Sequence, residues 1–100
     1  MIKHIVLWKL KPEAEGSRAE QNALKVKQLL EDLQGKIPGL LHIEVGIDFL
    51  RSGDSSDIVL YSEFESREAL EAYHHHPAHE AVKGFIGAVR SERRVVDYEC

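Results

Sequence analysis

Apolar residues dominate Ile2 to Leu10, a run rich in Ile, Val, Leu and Trp that predicts a first strand. Lys11-Pro12 ends it, and Gly16 closes the loop that follows. Ser17-Arg18-Ala19-Glu20 has the form of a capping box, with Ser17 as N-cap and Glu20 reaching back. Val26, Leu29, Leu30, Leu33 and Ile37 then recur at helical spacing, predicting a helix that ends near Gly35, with Pro38-Gly39 as punctuation. Residues 42–49 alternate, placing Ile43, Val45, Ile47 and Phe49 on one face of a second strand. Arg51 to Asp57 is a polar turn, and Ile58 to Phe64 is a third strand. Ser66 is placed to cap a helix carrying Ala69, Leu70 and Tyr73. Pro77 suits the first position of a further helical piece, with Ala78, Val82, Phe85, Ile86 and Val89 as its apolar stripe. Arg93 to Tyr98 is the fourth strand. The order β-α-β-β-α-β predicts an α+β, ferredoxin-like fold: a four-stranded antiparallel sheet with both helices on one face, over residues 1–100 as a single domain.

Strand parity carries a second expectation. His4, Val6, Trp8 and Leu10 point one way in the first strand, and Ile5, Leu7 and Lys9 point the other. The third strand sets Ile58, Leu60, Ser62 and Phe64 against Val59, Tyr61 and Glu63, and the fourth sets Arg93, Val95 and Asp97 against Val96 and Tyr98. Helices on one side cover only one of these faces. Ile5, Leu7, Val59, Tyr61, Val96 and Tyr98 would remain as an apolar patch larger than soluble monomers tolerate. A homodimer packed through the open sheet face removes that exposure.

Composition narrows the function classes. Net charge is −4 with histidines neutral, so no basic field attracts nucleic acid or an anionic membrane. No apolar run approaches the roughly 20 residues of a membrane span, and the N-terminus lacks the pattern of a signal peptide. Cys100, the single cysteine, allows no intrachain disulfide and fits a reducing, cytoplasmic setting.

The candidate chemistry gathers at Tyr73-His74-His75-His76-Pro77-Ala78-His79, which holds four of the six histidines. Tyr73 belongs to an apolar helical stripe, and His79 borders another. With His4 on the helix side of the sheet, the three groups can converge on one pocket. A neutral imidazole there can take a proton alpha to a carbonyl, and a tyrosine hydroxyl can hydrogen-bond the developing enolate. His79 is then expected to titrate near neutrality. The alternative is structural, with Tyr73 and His79 satisfying backbone groups at the helix break. His75 and His79 have the spacing of a helical metal pair, but Pro77 interrupts the helix and no Cys or paired carboxylate completes a ligand set, so no metal site is expected. His74 and His75 are placed in solvent, at a helix end that favours imidazolium.

His4-Ile5-Val6-Leu7-Trp8-Lys9-Leu10-Lys11, Phe64-Glu65-Ser66, Tyr73, His76-Pro77-Ala78-His79 and Asp97-Tyr98 together resemble the stress-responsive α/β-barrel domain family, called Dabb, over nearly the whole chain. The resemblance implies a dimeric α+β barrel. Most members of that family have no assigned activity. A plant polyketide cyclase within it works without metal or organic cofactor through a Tyr and a His that match Tyr73 and His79, and its strand-one histidine matches His4. Trp8 stands where that cyclase has a smaller aliphatic residue, and Ser62 and Arg93 replace other apolar wall positions. Val6, Leu60 and Val82 complete the expected pocket lining. Two functional expectations follow. One is a small dimeric protein that binds a small carbonyl or phenolic compound without turnover. The other is a cofactor-independent acid–base enzyme of polyketide-cyclase type using Tyr73 and His79.

Overall fold

A computed structural model describes all residues, Met1–Cys100. The elements are β1 (Ile2–Leu10), β2 (Glu13–Ala14), β3 (Ser17–Arg18), α1 (Ala19–Glu31), β4 (Leu40–Ile47), β5 (Ile58–Phe64), α2 (Arg67–His75), α3 (Pro77–Val89) and β6 (Arg90–Glu99). The main sheet is antiparallel, in the order β4-β5-β1-β6. β1 and β5, the two central strands, alternate strictly. Ile2, Val6, Trp8, Leu10, Ile58, Leu60 and Phe64 are buried, while Ile5, Leu7, Val59 and Tyr61 are half-buried on the other face. The buried rows join Val26, Leu30, Val82, Ile86 and Val89 of the helices in one core. The predicted α+β ferredoxin-like arrangement is therefore the observed one, with the second helical region divided in two. No helix is long and apolar enough to cross a membrane.

Several local expectations shift. The hydroxyl of Ser17 does not cap α1, because residues 17–18 pair with 13–14 in a small hairpin. Glu15 and Gly16 form its turn, both at positive φ (51° and 75°), as tight hairpins of the I′ type require. The helix starts one residue later, with Arg18 as N-cap, and the Gln21 side chain accepts from the Arg18 backbone N–H at 3.1 Å. Asn22, buried in the first turns of α1, donates to the carbonyls of Ala14 and Ser17 and ties hairpin to helix. The helix ends at Glu31 rather than near Gly35. Leu33 and Ile37 remain buried, but on tightened turns in which Leu33 N–H reaches Leu30 and Lys36 N–H reaches Leu33.

β4 carries an irregularity between Leu40 and His42, so its alternation is shorter than the sequence predicts. Ile43 and Val45 are buried, but Phe49 lies beyond the strand and is 89% exposed. β6 begins three residues early, at Arg90, since it continues directly from α3. The Ser66 cap is present: its hydroxyl accepts from Ala69 N–H at 3.0 Å. Gly39, at φ +82°, lets the chain pass under α2, where an added Cβ would sit 2.5 Å from that of Ala69.

These caps give a direct comparison. Ser66→Ala should cost about 1 kcal/mol in urea unfolding at fixed protein concentration. Ser17→Ala, which removes no cap, should stay within about 0.5 kcal/mol of wild type. Equal losses at the two positions would contradict the described start of α1.

Candidate functional site

The site is built around the break between α2 and α3. A proline disfavours helical geometry in the residue before it, and His76 is extended at φ −68°, ψ 135°. The same residue ends α2 and caps α3, its Nδ1 accepting from Ala78 N–H at 3.1 Å. The turn brings Tyr73, in the last turn of α2, against His79, in the first turn of α3. Their rings stack at 4.1 Å between centroids and 30° between planes. Tyr73 is fully buried and also packs on Phe64, at 4.9 Å.

Beside this pair lies a cavity of about 290 Å³ between sheet and helices. His4, Val6, Trp8 and Leu60 form its sheet wall. Tyr73, His74, His79, Lys83, Ile86 and Leu30 face them from the helices, and Arg90 and Arg93 close one side from β6. The volume corresponds to about ten water molecules at ~30 Å³ each, so the ligand it fits is small.

Three of the lining groups have buried polar atoms with no protein partner: Trp8 Nε1, Tyr73 Oη and His79 Nδ1. A buried polar group left unpaired costs ~1–3 kcal/mol, so native proteins pair such groups, with a ligand or water where no side chain serves. His4 differs. Its Nδ1 bonds Asp97 Oδ1, and the ring is buried while the carboxylate is 43% exposed. The bond from Nδ1 to the carboxylate fixes the orientation of the ring and leaves Nε2 as its other nitrogen. His4 lies edge-on to His74 at 5.4 Å and to Tyr73 at 6.1 Å.

Burial sets the protonation of the helix groups. It pushes the Tyr73 phenol well above its usual range, so the hydroxyl keeps its proton. It pushes His79 down to about 4, so this ring is neutral at pH 7 and a weaker base than near-neutral titration implied. His74 is also lowered, first by burial and then by the charge of His4. No group of three or more His, Cys, Asp or Glu side chains is placed to hold a metal ion.

The structure brings His4, Tyr73 and His79 to one cavity with Val6, Trp8, Leu60 and Arg93. Two expected lining residues do not reach it. The Ser62 hydroxyl is turned into the sheet, donating to the His4 carbonyl at 2.9 Å, and Val82 packs into the core. His74, expected in solvent, is half-buried and lines the cavity, whereas His75 is exposed beside Glu71. The signal for His74 is its place four residues after Leu70, on the same helical face. In the sequence Asp97 stands only as part of a motif. Its pairing follows from the β1–β6 register, which sets His4 opposite Asp97, Val6 opposite Val95 and Trp8 opposite Arg93.

The family model described as Dabb, the stress responsive A/B barrel domain, matches residues 2–100. The chain is similar to a dimeric protein of unknown function and ferredoxin-like fold from Bacteroides fragilis. Identity is 33% and TM-score 0.83, over 99% of this chain and 95% of that one. It is also similar to a Dabb family protein with a ferredoxin-like fold from Mesorhizobium loti, at 26% identity and TM-score 0.73, covering 99% and 95% of the two chains. A hydroxynitrile lyase from Passiflora edulis shares the fold alone, at 19% identity and TM-score 0.78, over 97% and 90%. No curated protein matches the chain.

The depressed His79 has a signed consequence. Between about pH 4 and 6.5 the unfolded chain binds a proton at this position that the folded chain does not. Stability from this group is therefore complete above about 6.5 and is lost as pH falls towards 4. NMR titration should show the His79 ring neutral through pH 5, and His79→Phe should flatten stability over this window. A His79 midpoint at or above 6.5 would contradict its placement.

Proposed function

The chain belongs to the stress responsive A/B barrel domain family, and from that premise we propose that it forms a homodimer through the open sheet face and binds a small carbonyl or phenolic compound in the cavity beside Tyr73 and His79. The observation that carries the binding reading is a cavity whose lining residues include Trp8, Tyr73 and His79, each of which also holds a buried polar atom with no protein partner. Between them they offer two hydroxyl or N–H donors and an imidazole nitrogen, while Val6, Leu60 and Ile86 supply apolar walls. A small oxygen-bearing ring or dicarbonyl compound matches that combination.

The dimer rests on the other face of the same strands. Ile5, Leu7, Val59 and Tyr61 are only half-buried in the isolated chain, and Val96 and Tyr98 are 55% and 44% exposed. The relative from Bacteroides fragilis is dimeric. Pairing through this face leaves the cavity, on the helix side, free to take its ligand.

A second reading is favoured by the His4–Asp97 pair. A histidine held by a carboxylate through Nδ1 is oriented to accept a proton at Nε2, and the carboxylate supplies the counter-charge. In this acid–base reading His4 takes a proton alpha to a carbonyl. The Tyr73 phenol, kept protonated by burial, hydrogen-bonds the enolate oxygen. His79, with its low basicity, holds the ligand rather than acting as the base.

Trp8 is the only tryptophan and lines the cavity, so its emission reports occupancy. Resorcinol or acetylacetone should change it, and Tyr73→Phe should weaken binding roughly two- to tenfold, the worth of one neutral hydrogen bond. No response in emission or imidazole signals would remove the binding reading. Loss of the acetylacetone α-proton signal in D2O should be accelerated by wild type and not by His4→Gln or Asp97→Asn. Equal rates in all three would remove the acid–base reading and leave binding standing. For assembly, Leu7→Glu should sediment as monomer or aggregate, because an ionised carboxylate is costly in an apolar interface. A wild-type protein sedimenting as a monomer would dismiss the dimer.

A further inference from the structure

Arg90 and Arg93 line the cavity from β6, and both side chains are exposed. Neither forms a salt bridge, although the chain as a whole is acidic at −4. The carboxylates of the neighbourhood are engaged elsewhere: Glu92 with Lys9 at 3.7 Å, Glu80 with Lys83 at 3.1 Å, and Asp97 with His4. Two guanidinium groups thus stand free at one side of a small cavity. Arg93 lies opposite Trp8 in the β1–β6 register, and both residues line the cavity. The Trp8 indole N–H has no partner, and Trp8 is only 5% exposed. Arginine and tryptophan side chains donate and cannot accept. This side of the cavity is therefore cationic and donor-only, while the opposite side carries His4, Tyr73 and His79, which can accept.

We infer that the ligand is a small organic acid, bound with its carboxylate against Arg90 and Arg93 and with its carbonyl or phenol towards Tyr73 and His4. This assignment rests on the binding reading above and adds the charge and orientation of the ligand. The planar fork of arginine matches a carboxylate in two-point contact, which a lysine does not. A cleft lined with one sign of charge also concentrates the opposite sign against the field of an acidic protein. Arg90 and Arg93 become the specificity-determining residues of the cavity.

The test uses the full chain and three acid–amide pairs: 4-hydroxybenzoate with 4-hydroxybenzamide, salicylate with salicylamide, and acetoacetate with acetoacetamide. Binding is followed by Trp8 emission and by the imidazole NMR signals. At low salt at least one acid should bind tenfold or more tightly than its amide, and the preference should shrink as salt is added. In the exposed-site variant R90Q/R93Q that preference should fall to about twofold or less, because the affinity for the acid drops. Amides binding as tightly as their acids in wild type, or a preference that survives in R90Q/R93Q, would overturn the assignment and leave the cavity-binding reading intact. If none of the six compounds shifts either signal, both the assignment and the binding reading fall.

Discussion

The refusal of His76 to be helical ahead of Pro77 is the constraint on which the site depends. A continuous helix through this region would carry Tyr73 and His79 on one rod, six residues apart and on different faces. The break turns the chain between the two helices and brings the two rings into contact at 4.1 Å. It also needs very little support, because His76 caps the second helix with its own side chain. The histidine-rich run thus divides its labour. His76 holds the turn, His75 faces solvent, and His74 and His79 line the cavity.

Buried polar groups in this chain fall into two populations, and the division marks the site. Buried Asn22 and Ser62 and half-buried Asp57 are each answered by the backbone: Asn22 holds the hairpin, Ser62 bonds the carbonyl of His4, and Asp57 accepts from Leu10 N–H at 2.6 Å. Those groups stabilise the fold. Trp8, Tyr73 and His79 have unanswered atoms, and all three residues line the same cavity. Leaving polar atoms unpaired costs stability, so their concentration in one cavity sets it apart from the packed core.

One strand serves both faces. The even positions of β1 supply His4, Val6 and Trp8 to the cavity, and the odd positions supply Ile5 and Leu7 to the open face. The two-residue period of a strand places the cavity wall on one side of the sheet and the half-buried apolar row on the other. A change that disturbs the register of β1 would damage both, whereas Arg90 and Arg93, on the edge strand β6, can vary without touching the core.

The elements legible in the sequence were those whose cause is local. The β1 and β5 alternation, the Ser66 cap and the break at Pro77 each follow from a few adjacent residues, and each is present. Parity alone was enough to put His4 and Trp8 on the helix side and Ile5 and Leu7 on the other. The family resemblance carried Tyr73 and His79 as a pair, and their common cavity with His4 is where the structure places them. What local pattern could not supply was register and competition between distant partners. Ser17 has the sequence of a cap, but pairing with residues 13–14 claims it first. Ser62 has the parity of a wall residue, but a strand-one carbonyl lies within hydrogen-bond reach and takes its hydroxyl. Asp97 meets His4 across 93 residues only because β6 lies antiparallel to β1 in one register out of several. The lowering of His79 comes from the walls that enclose it, which are assembled from strands and helices far apart in the chain. Residue spacing encodes which way a side chain points; what it meets there is decided by how the sheet and helices close.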